Sequence, residues 1–433
     1  MNFHYLLKSF LYFLRGSFKR IDVDVVFHYN NHLNRGRNGE PILFLPLINA
    51  CKSNNNKYLI FEDTDLAGAF SGYPRYSEAI PFEFITLLQI VLRKCKRNVK
   101  NYNEYRNREI IISRILRHLF FRRFYARSFI TIATHNVILF REVLPDGQIF
   151  DYQNGIIYDP KGNYGLKNHE KDSQNVITDN AVRAPILGMG RSDLINGKAP
   201  SNKQENDVKT LVYGDNFREL LISRDKDNYY NKSNVITIGH YFQKVRMNED
   251  LNFRNNKCIL FTLQVTPDMD LFPIKQYYRI IRCLLKPNIT FLSKNKYTLL
   301  LKHHPRFNNV FEDKFLRNLP FSRFVNHKQT VDDTLENVSI HMTFMSTTSI
   351  EAAIQGIPTI FIDIDNVKSP KHIFFEQYKY PFSKLRVDSA ERFIHTLKKF
   401  ENKIFYQLVC ERVREWSKSL YKEFNDKAFI ETL

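Results

Sequence analysis

Hydrophobic positions in this chain gather into short solid runs, and amphipathic stretches of helical length separate them. In the first half the runs are residues 57–61 (KYLIF), 129–133 (FITIA), 148–152, 209–214 (KTLVYG) and 235–239 (VITIG). In the second half they are residues 258–264 (CILFTLQ), 297–302 (YTLLLK), 321–325, 338–345 and 358–362 (PTIFI). A short apolar run bounded by polar turns reads as a strand buried on both faces. Residues 81–93, 273–285 and a segment around Val331 read as helices between them. Strands joined by crossovers of helix length pair in parallel. The predicted fold class is therefore α/β, with two doubly wound, Rossmann-like domains facing a central cleft. Their expected bounds are 21–250 and 251–433, with a separate amphipathic helix over 1–20. Residues 161–207 are polar and rich in Gly and Asn, and read as loop. Polar helices follow Asp363, and an amphipathic tail starts at Arg392.

The opening segment departs from this rhythm. Phe3, Leu6, Leu7, Phe10, Leu11, Phe13 and Leu14 recur at helical spacing, Lys8, Arg15, Lys19 and Arg20 carry charge, and no acid precedes Asp22. Such a helix either lies on an anionic lipid surface or packs on the rest of the protein. It has no small-residue cleavage site, so no signal peptide is expected. No apolar run reaches the ~20 residues of a membrane span.

Length and charge narrow the picture. A chain of 433 residues is long for one core, which agrees with two domains. A net charge of +19 calls for an acidic partner. Nucleic acid, anionic headgroups, a nucleotide-sugar and an acidic glycan all qualify. Residues 93–127 are densely basic, with only Glu104 and Glu109 opposing. Their aromatics, Phe120, Phe121, Phe124 and Tyr125, follow Ile111, Ile112, Ile115 and Leu116 at helical spacing, which reads as core and not as a base-stacking surface. No nucleic-acid partner is expected; a surface facing a membrane or an acidic glycan fits better. The five cysteines are scattered without a CxxC pair, so neither a disulfide framework nor a zinc site is expected, and a reducing compartment fits.

The densest chemistry lies in residues 345–363, MSTTSIEAAIQGIPTIFID. A hydroxyl-rich turn, Ser346-Thr347-Thr348-Ser349, enters a helix carrying Glu351, Gly356 stops that helix, and a buried strand follows. Backbone N–H groups at a helix start and neighbouring hydroxyls can hold a phosphate, and a carboxylate one turn on can accept from a ribose hydroxyl. The same pattern also describes an ordinary Ser/Thr cap with a glycine stop. A second strand, 297–302, ends in Lys302-His303-His304-Pro305-Arg306. Ligands of open α/β sheets bind outside the carboxyl ends of strands, so His304, Pro305 and Arg306, together with Gln264 at the end of 258–264, are candidate nucleotide-binding residues. Lys302 and Arg306 are either phosphate contacts or solvated strand-end charges.

In the first half, Asp63 and Asp65 sit just beyond a strand end and His135 at another strand tip. Each could take a proton from an attacking hydroxyl. Turn-forming carboxylates and a structural histidine are the alternatives, and Glu62, Glu83 and Asp159 are weaker choices. Asp-x-Asp patterns, among them those at 63–65, 268–270 and 363–365, could each hold a divalent cation. Such pairs are common by chance, and no metal and no cofactor is expected.

This order of features resembles the GT-B class of glycosyltransferases, more narrowly the bacterial capsule and lipopolysaccharide enzymes that include sialyltransferases and Kdo transferases. The resemblance rests on His304-Pro305, on Ser346 to Ser349 followed by Glu351, and on residues 211–217 (LVYGDNF) and 235–242 (VITIGHYF). It covers the chain from about Asp22 onward. Members often carry Gln-His-Gly after a strand of the first domain; here Gln153-Asn154-Gly155 stands there, with Asn for His, on the expected acceptor side. The resemblance implies a nucleotide-sugar donor, CMP-linked or else UDP- or GDP-linked, and a glycan or lipid-linked acceptor. It further implies inverting transfer; the helix start and basic groups already offer positive charge to the phosphate, so the transfer is expected to need no metal, and the basic opening helix with residues 93–127 leads to the expectation of a cytoplasmic protein held at the inner face of the cytoplasmic membrane. A nucleotide-sugar epimerase, a polyol-phosphate transferase and a non-catalytic assembly protein of polysaccharide export are the alternatives. Epimerases of this fold begin directly with a strand, whereas this chain opens on a helix.

Overall fold

The computed structural model describes residues 3–31, 36, 38–63, 75–95, 102–132, 136–153, 157, 208–224, 230–240, 257–263, 274–304, 314–326, 329–364 and 370–433. The chain forms two compact units, Met1–Tyr241 with Lys422–Leu433, and Phe242–Tyr421.

The first unit runs α1 (Phe3–Phe18), β1 (Ile21–Asn30), α2 (Leu45–Ser53), β2 (Tyr58–Asp63), β3 (Ile80–Pro81), α3 (Glu83–Cys95), α4 (Tyr102–Phe120), β4 (Phe124–Ile132), α5 (Val137–Val143), β5 (Gln148–Tyr152), β6 (Val208–Val212), α6 (Asp215–Arg224) and β7 (Val235–Thr237). Its sheet has the order β3-β2-β1-β4-β5-β6-β7, and every pairing among the described residues is parallel. The strand order reverses between β1 and β4, so the binding crevice expected of such a sheet lies at their carboxyl ends. The central strand β1 is absent from the sequence reading. Asp22, Asp24 and His28 interrupt its apolar run, yet Val25 through Tyr29 are all buried.

That helix belongs to the core. Phe13 is buried among Phe61, Phe82 and Phe121, with ring centroids 5.3–5.6 Å apart. Beneath α5, Phe129 and Phe140 stack at 3.9 Å. Each such side chain contributes roughly 1.5–3 kcal/mol of burial.

The basic stretch corrects the sequence expectation in part. Arg93 and Arg108 do not face outward; both are buried with Glu109 between α3 and α4. A helix presents charge on every face, and sequence density alone does not say which face meets a partner carboxylate.

The second unit runs β8 (Cys258–Leu263), α7 (Ile274–Leu285), α8 (Ile289–Lys294), β9 (Thr298–His303), α9 (Lys314–Arg317), β10 (Ser322–Phe324), α10 (Val331–Leu335), β11 (Ile340–Thr343), α11 (Thr348–Ile354), β12 (Thr359–Ile362), β13 (Arg386–Val387), α12 (Ala390–Phe400) and α13 (Lys403–Leu420). Its sheet is also parallel, in the order β10-β9-β8-β11-β12-β13, and reverses between β8 and β11.

The final segment, Lys422 onward with α14 (Asp426–Thr432), returns to the first unit, although the sequence reading kept it with the second half. His240 N–H donates to the Lys422 carbonyl at 2.8 Å, Asn425 N–H to the Ile238 carbonyl at 2.9 Å, and Lys422 pairs with Asp215. Gly239, at φ +86°, permits this approach: a Cβ there would collide with the Glu423 carbonyl.

In the middle of the second sheet, His341 on β11 is fully buried and bridges its neighbours. Nε2 lies 2.9 Å from Thr262 Oγ1 and Nδ1 lies 3.0 Å from Thr359 Oγ1. Burial pushes its pKa down to about 3. The unfolded chain, with histidine near ~6.5, takes up this proton first as pH falls. Stability from His341 is thus complete above pH ~6.5 and is lost as pH falls toward about 3. Between pH ~7.5 and ~5 the loss from this group is expected to be about 2 kcal/mol. Urea unfolding of wild type and His341→Asn at both values checks it. The two proteins should differ in pH sensitivity by that amount, and equal sensitivity would remove His341 as the cause.

Candidate functional site

The carboxyl edge of the second sheet collects most of the polar chemistry read from the sequence. After β11, Phe344 and Met345 lead into a turn whose hydroxyls are already ordered by one another. Ser346 Oγ accepts from Thr348 N–H at 3.2 Å and donates to Thr348 Oγ1 at 3.0 Å, and Ser349 Oγ donates to the Ser346 carbonyl at 2.7 Å. Ser346 and Thr347 are half-buried, while Thr348 and Ser349 are buried. Thr347 occupies the cap position of α11 without a side-chain capping bond, so the capping role has moved to Ser346. Glu351 stands half-buried in the first turn. Ile350, Ala352 and Ala353 face inward, and the helix stops at Gly356, φ +74°. The Arg414 guanidinium from α13 lies where a Cβ of Gly356 would be.

Two strands across, β9 delivers His303 and His304, both half-buried. The His303 ring stacks on Phe324 with centroids 4.9 Å apart. Burial, and next the Arg317 charge, lower its pKa to about 4, so it is neutral at physiological pH. Lys302 is buried with Nζ donating to the Gln329 carbonyl at 2.6 Å. That bond ties β9 to the segment ahead of α10, and of the two readings of Lys302 neither the solvated one nor a free phosphate contact describes its present partner. With β8 between them, β9 and β11 end on the same carboxyl edge of the sheet, about 10 Å apart at ordinary strand spacing, and the switch point lies between β8 and β11. Pro305, Arg306 and Gln264 lie outside the described residues.

At the end of β12, Asp363 is buried with Oδ2 3.2 Å from Arg386 on β13. In the sequence Asp363 stands out only as half of an Asp-x-Asp pair, and its partner strand β13, two residues long, leaves no pattern there. Asp365 and residues 268–270 lie outside the described residues. Among the described residues no group of three His, Cys, Asp or Glu side chains is placed to hold a metal ion.

In the first unit, Asp63 ends β2, 2% exposed, and Thr86 Oγ1 donates to its Oδ2 at 2.6 Å. Beside it Glu62 and Glu83 share Arg75, and Glu62 also accepts from Tyr76 N–H at 3.1 Å. Gln153, directly after β5, is fully buried; its Oε1 accepts from Tyr213 N–H at 2.8 Å, and its carbonyl accepts from the Tyr213 hydroxyl. Asp65, His135, Asn154, Gly155 and Asp159 lie outside the described residues. At the switch point of this sheet stands a group the sequence reading passed over. Asn136, at φ +57°, accepts from Gln89 Nε2 at 3.0 Å, and its Nδ2 lies 3.3 Å from His28 Nε2 on β1. The one available signal was an Asn directly after a strand tip, where a left-handed residue is common.

No known family profile and no curated protein matches the chain. Solved structures do. A variant of the wall teichoic acid polymerase TagF aligns over 99% of this chain and 92% of its own, with 13% identity and a TM-score of 0.55. The UDP-GlcNAc 2-epimerase from Neisseria meningitidis, bound to UDP-GlcNAc, aligns over 94% and 99%, with 11% identity and a TM-score of 0.52. The fold is of the GT-B type. The same enzyme from Methanocaldococcus jannaschii, in complex with UDP-GlcNAc and UDP, aligns over 94% and 98% with 11% identity and a TM-score of 0.50. At such identities the likeness is one of GT-B architecture, and the chemistry has to be argued from this chain's own residues.

Proposed function

We propose that this chain is a glycosyltransferase that moves a sugar from a nucleotide-activated donor onto a bacterial surface polysaccharide or a lipid-linked glycan. The observation that carries the reading is the ordered hydroxyl turn Ser346 to Ser349 at the switch point of the second sheet, with His304 following β9 on the same carboxyl edge. Open α/β sheets bind nucleotides at such points. The hydroxyls and backbone donors of the turn receive the phosphate, and Glu351 is placed one turn on to accept from the ribose. The motif resemblance favours a CMP-linked donor over UDP- or GDP-linked ones, and a capsule, lipopolysaccharide or O-antigen acceptor. Transfer is inverting and needs no metal, with the acceptor proton taken by a group of the first unit.

Calorimetric titration of the full chain with CMP, UDP and GDP tests the donor half. One nucleotide should bind, and His304→Ala and Ser346→Ala should each weaken it by ~10-fold or more, since a charge-assisted hydrogen bond is worth ~1.5–3 kcal/mol. Unchanged affinity in both variants would remove this site. Conversion of UDP-GlcNAc to its 2-epimer without any acceptor would overturn the transferase reading and leave the nucleotide site standing.

A further inference from the structure

The sequence leaves α1 with two alternatives, a packed helix or a lipid-surface helix, and the structure gives it a face for each. Its inner face, with Ser9, Phe13 and Gly16 buried, packs into the first unit. Phe3, Leu7, Phe10, Leu11, Leu14 and Phe18 remain exposed, Phe3 at 75% and Phe18 at 72%. At helical pitch these six fall in one arc of about 100°. Lys8, Arg15 and Lys19, all exposed, form a row along one edge of that arc, and no acidic residue lies on the helix. The apolar surface does not end with α1. Ser17 Oγ donates to the Leu119 carbonyl at 2.8 Å and Arg123 Nη1 to the Phe18 carbonyl at 2.6 Å, so the two helix ends meet. Leu119 is exposed there, with Ile115 and Ile111 exposed at four-residue spacing behind it on α4.

We infer that the outer face of α1, continued by α4 at Leu119, is a docking surface for an anionic phospholipid bilayer, which it meets in the plane of the headgroups. The charge pattern selects this occupant. An apolar arc edged by a basic row matches acyl chains below and phosphates beside them. No helix of the described residues is long and apolar enough to cross a membrane, so the contact is peripheral. The acids nearest in sequence, Asp22 and Asp24, are paired with Arg20 and Arg127, and among the described residues no ion pair to Lys8, Arg15 or Lys19 is formed. The inference does not depend on the nucleotide site.

Deleting α1 would remove Phe13 from the core, so point variants are the test. Leu7→Ser/Leu11→Ser/Leu14→Ser removes apolar surface and Lys8→Gln/Arg15→Gln/Lys19→Gln removes charge. Both should keep the wild-type melting temperature and nucleotide affinity. In co-sedimentation, wild type should bind vesicles containing phosphatidylglycerol, bind less as salt rises, and leave pure phosphatidylcholine vesicles unbound. The charge variant should lose on the order of 100-fold in partitioning, and the apolar variant should also lose binding. Absence of vesicle binding, equal binding to both vesicle types, or unaltered binding of either variant would overturn the inference. So would a concentration-dependent dimer abolished by the Ser variant in place of vesicle binding, because the face would then belong to a second copy.

Discussion

Glu109→Ala is expected to lower the melting temperature by about 10 °C or more. Its carboxylate accepts from Arg93 Nε at 3.0 Å and Nη2 at 2.7 Å, and Arg108 Nη2 lies 3.1 Å away. All three side chains are buried. Without the carboxylate, two guanidiniums stay in low dielectric with no opposing charge at that position. Breaking a buried ion pair by removing one partner costs about 3–5 kcal/mol, and each kcal/mol moves the melting point of a unit this large by about 2–4 °C. Circular dichroism melts of wild type and variant decide it. A shift under ~3 °C would mean that water reaches the cluster and screens it.

Asn in place of the true general base is expected to cut kcat by ~10²–10⁴-fold and leave nucleotide affinity nearly intact. The split follows from the proposal that the donor is held by the second unit while the base belongs to the first. Asp65 ranks ahead of Asp63 and His135. Asp63 is 2% exposed and already bonded to Thr86, which gives a physical reason for placing it behind Asp65. The variants Asp65→Asn, Asp63→Asn and His135→Asn are compared by steady-state turnover and by nucleotide titration. Turnover within a few-fold of wild type in all three would move the base elsewhere. Glu83, in an ion pair with buried Glu62's partner Arg75, is a poor replacement, which leaves Asp159.

Strands buried on both faces are legible in the sequence. β8, β9, β11 and β12 each begin and end within two residues of a solid apolar run, because both side-chain directions must leave water. The turn Ser346 to Ser349 and the stop at Gly356 were legible for a local reason as well: hydroxyl caps and a left-handed glycine act within a few residues. The parallel, two-unit α/β class follows from that alternation alone.

What the sequence could not decide was pairing between distant segments. β1 looks half polar, yet the first sheet reverses beside it, and Phe82, Phe129 and Phe140 close over its His28. Arg93 and Arg108 look like surface charge until Glu109, beside Arg108 on α4, meets Arg93 on α3. Gln153 becomes a clamp on Tyr213, and the chain end leaves the second unit to bond beside Gly239. Solid apolar runs and tight turns are determined by residues adjacent in the chain, so the sequence alone specified them. The partner of a polar group depends on which remote element folds against it, and a buried charge is tolerable only with that partner present; that choice belongs to the tertiary structure.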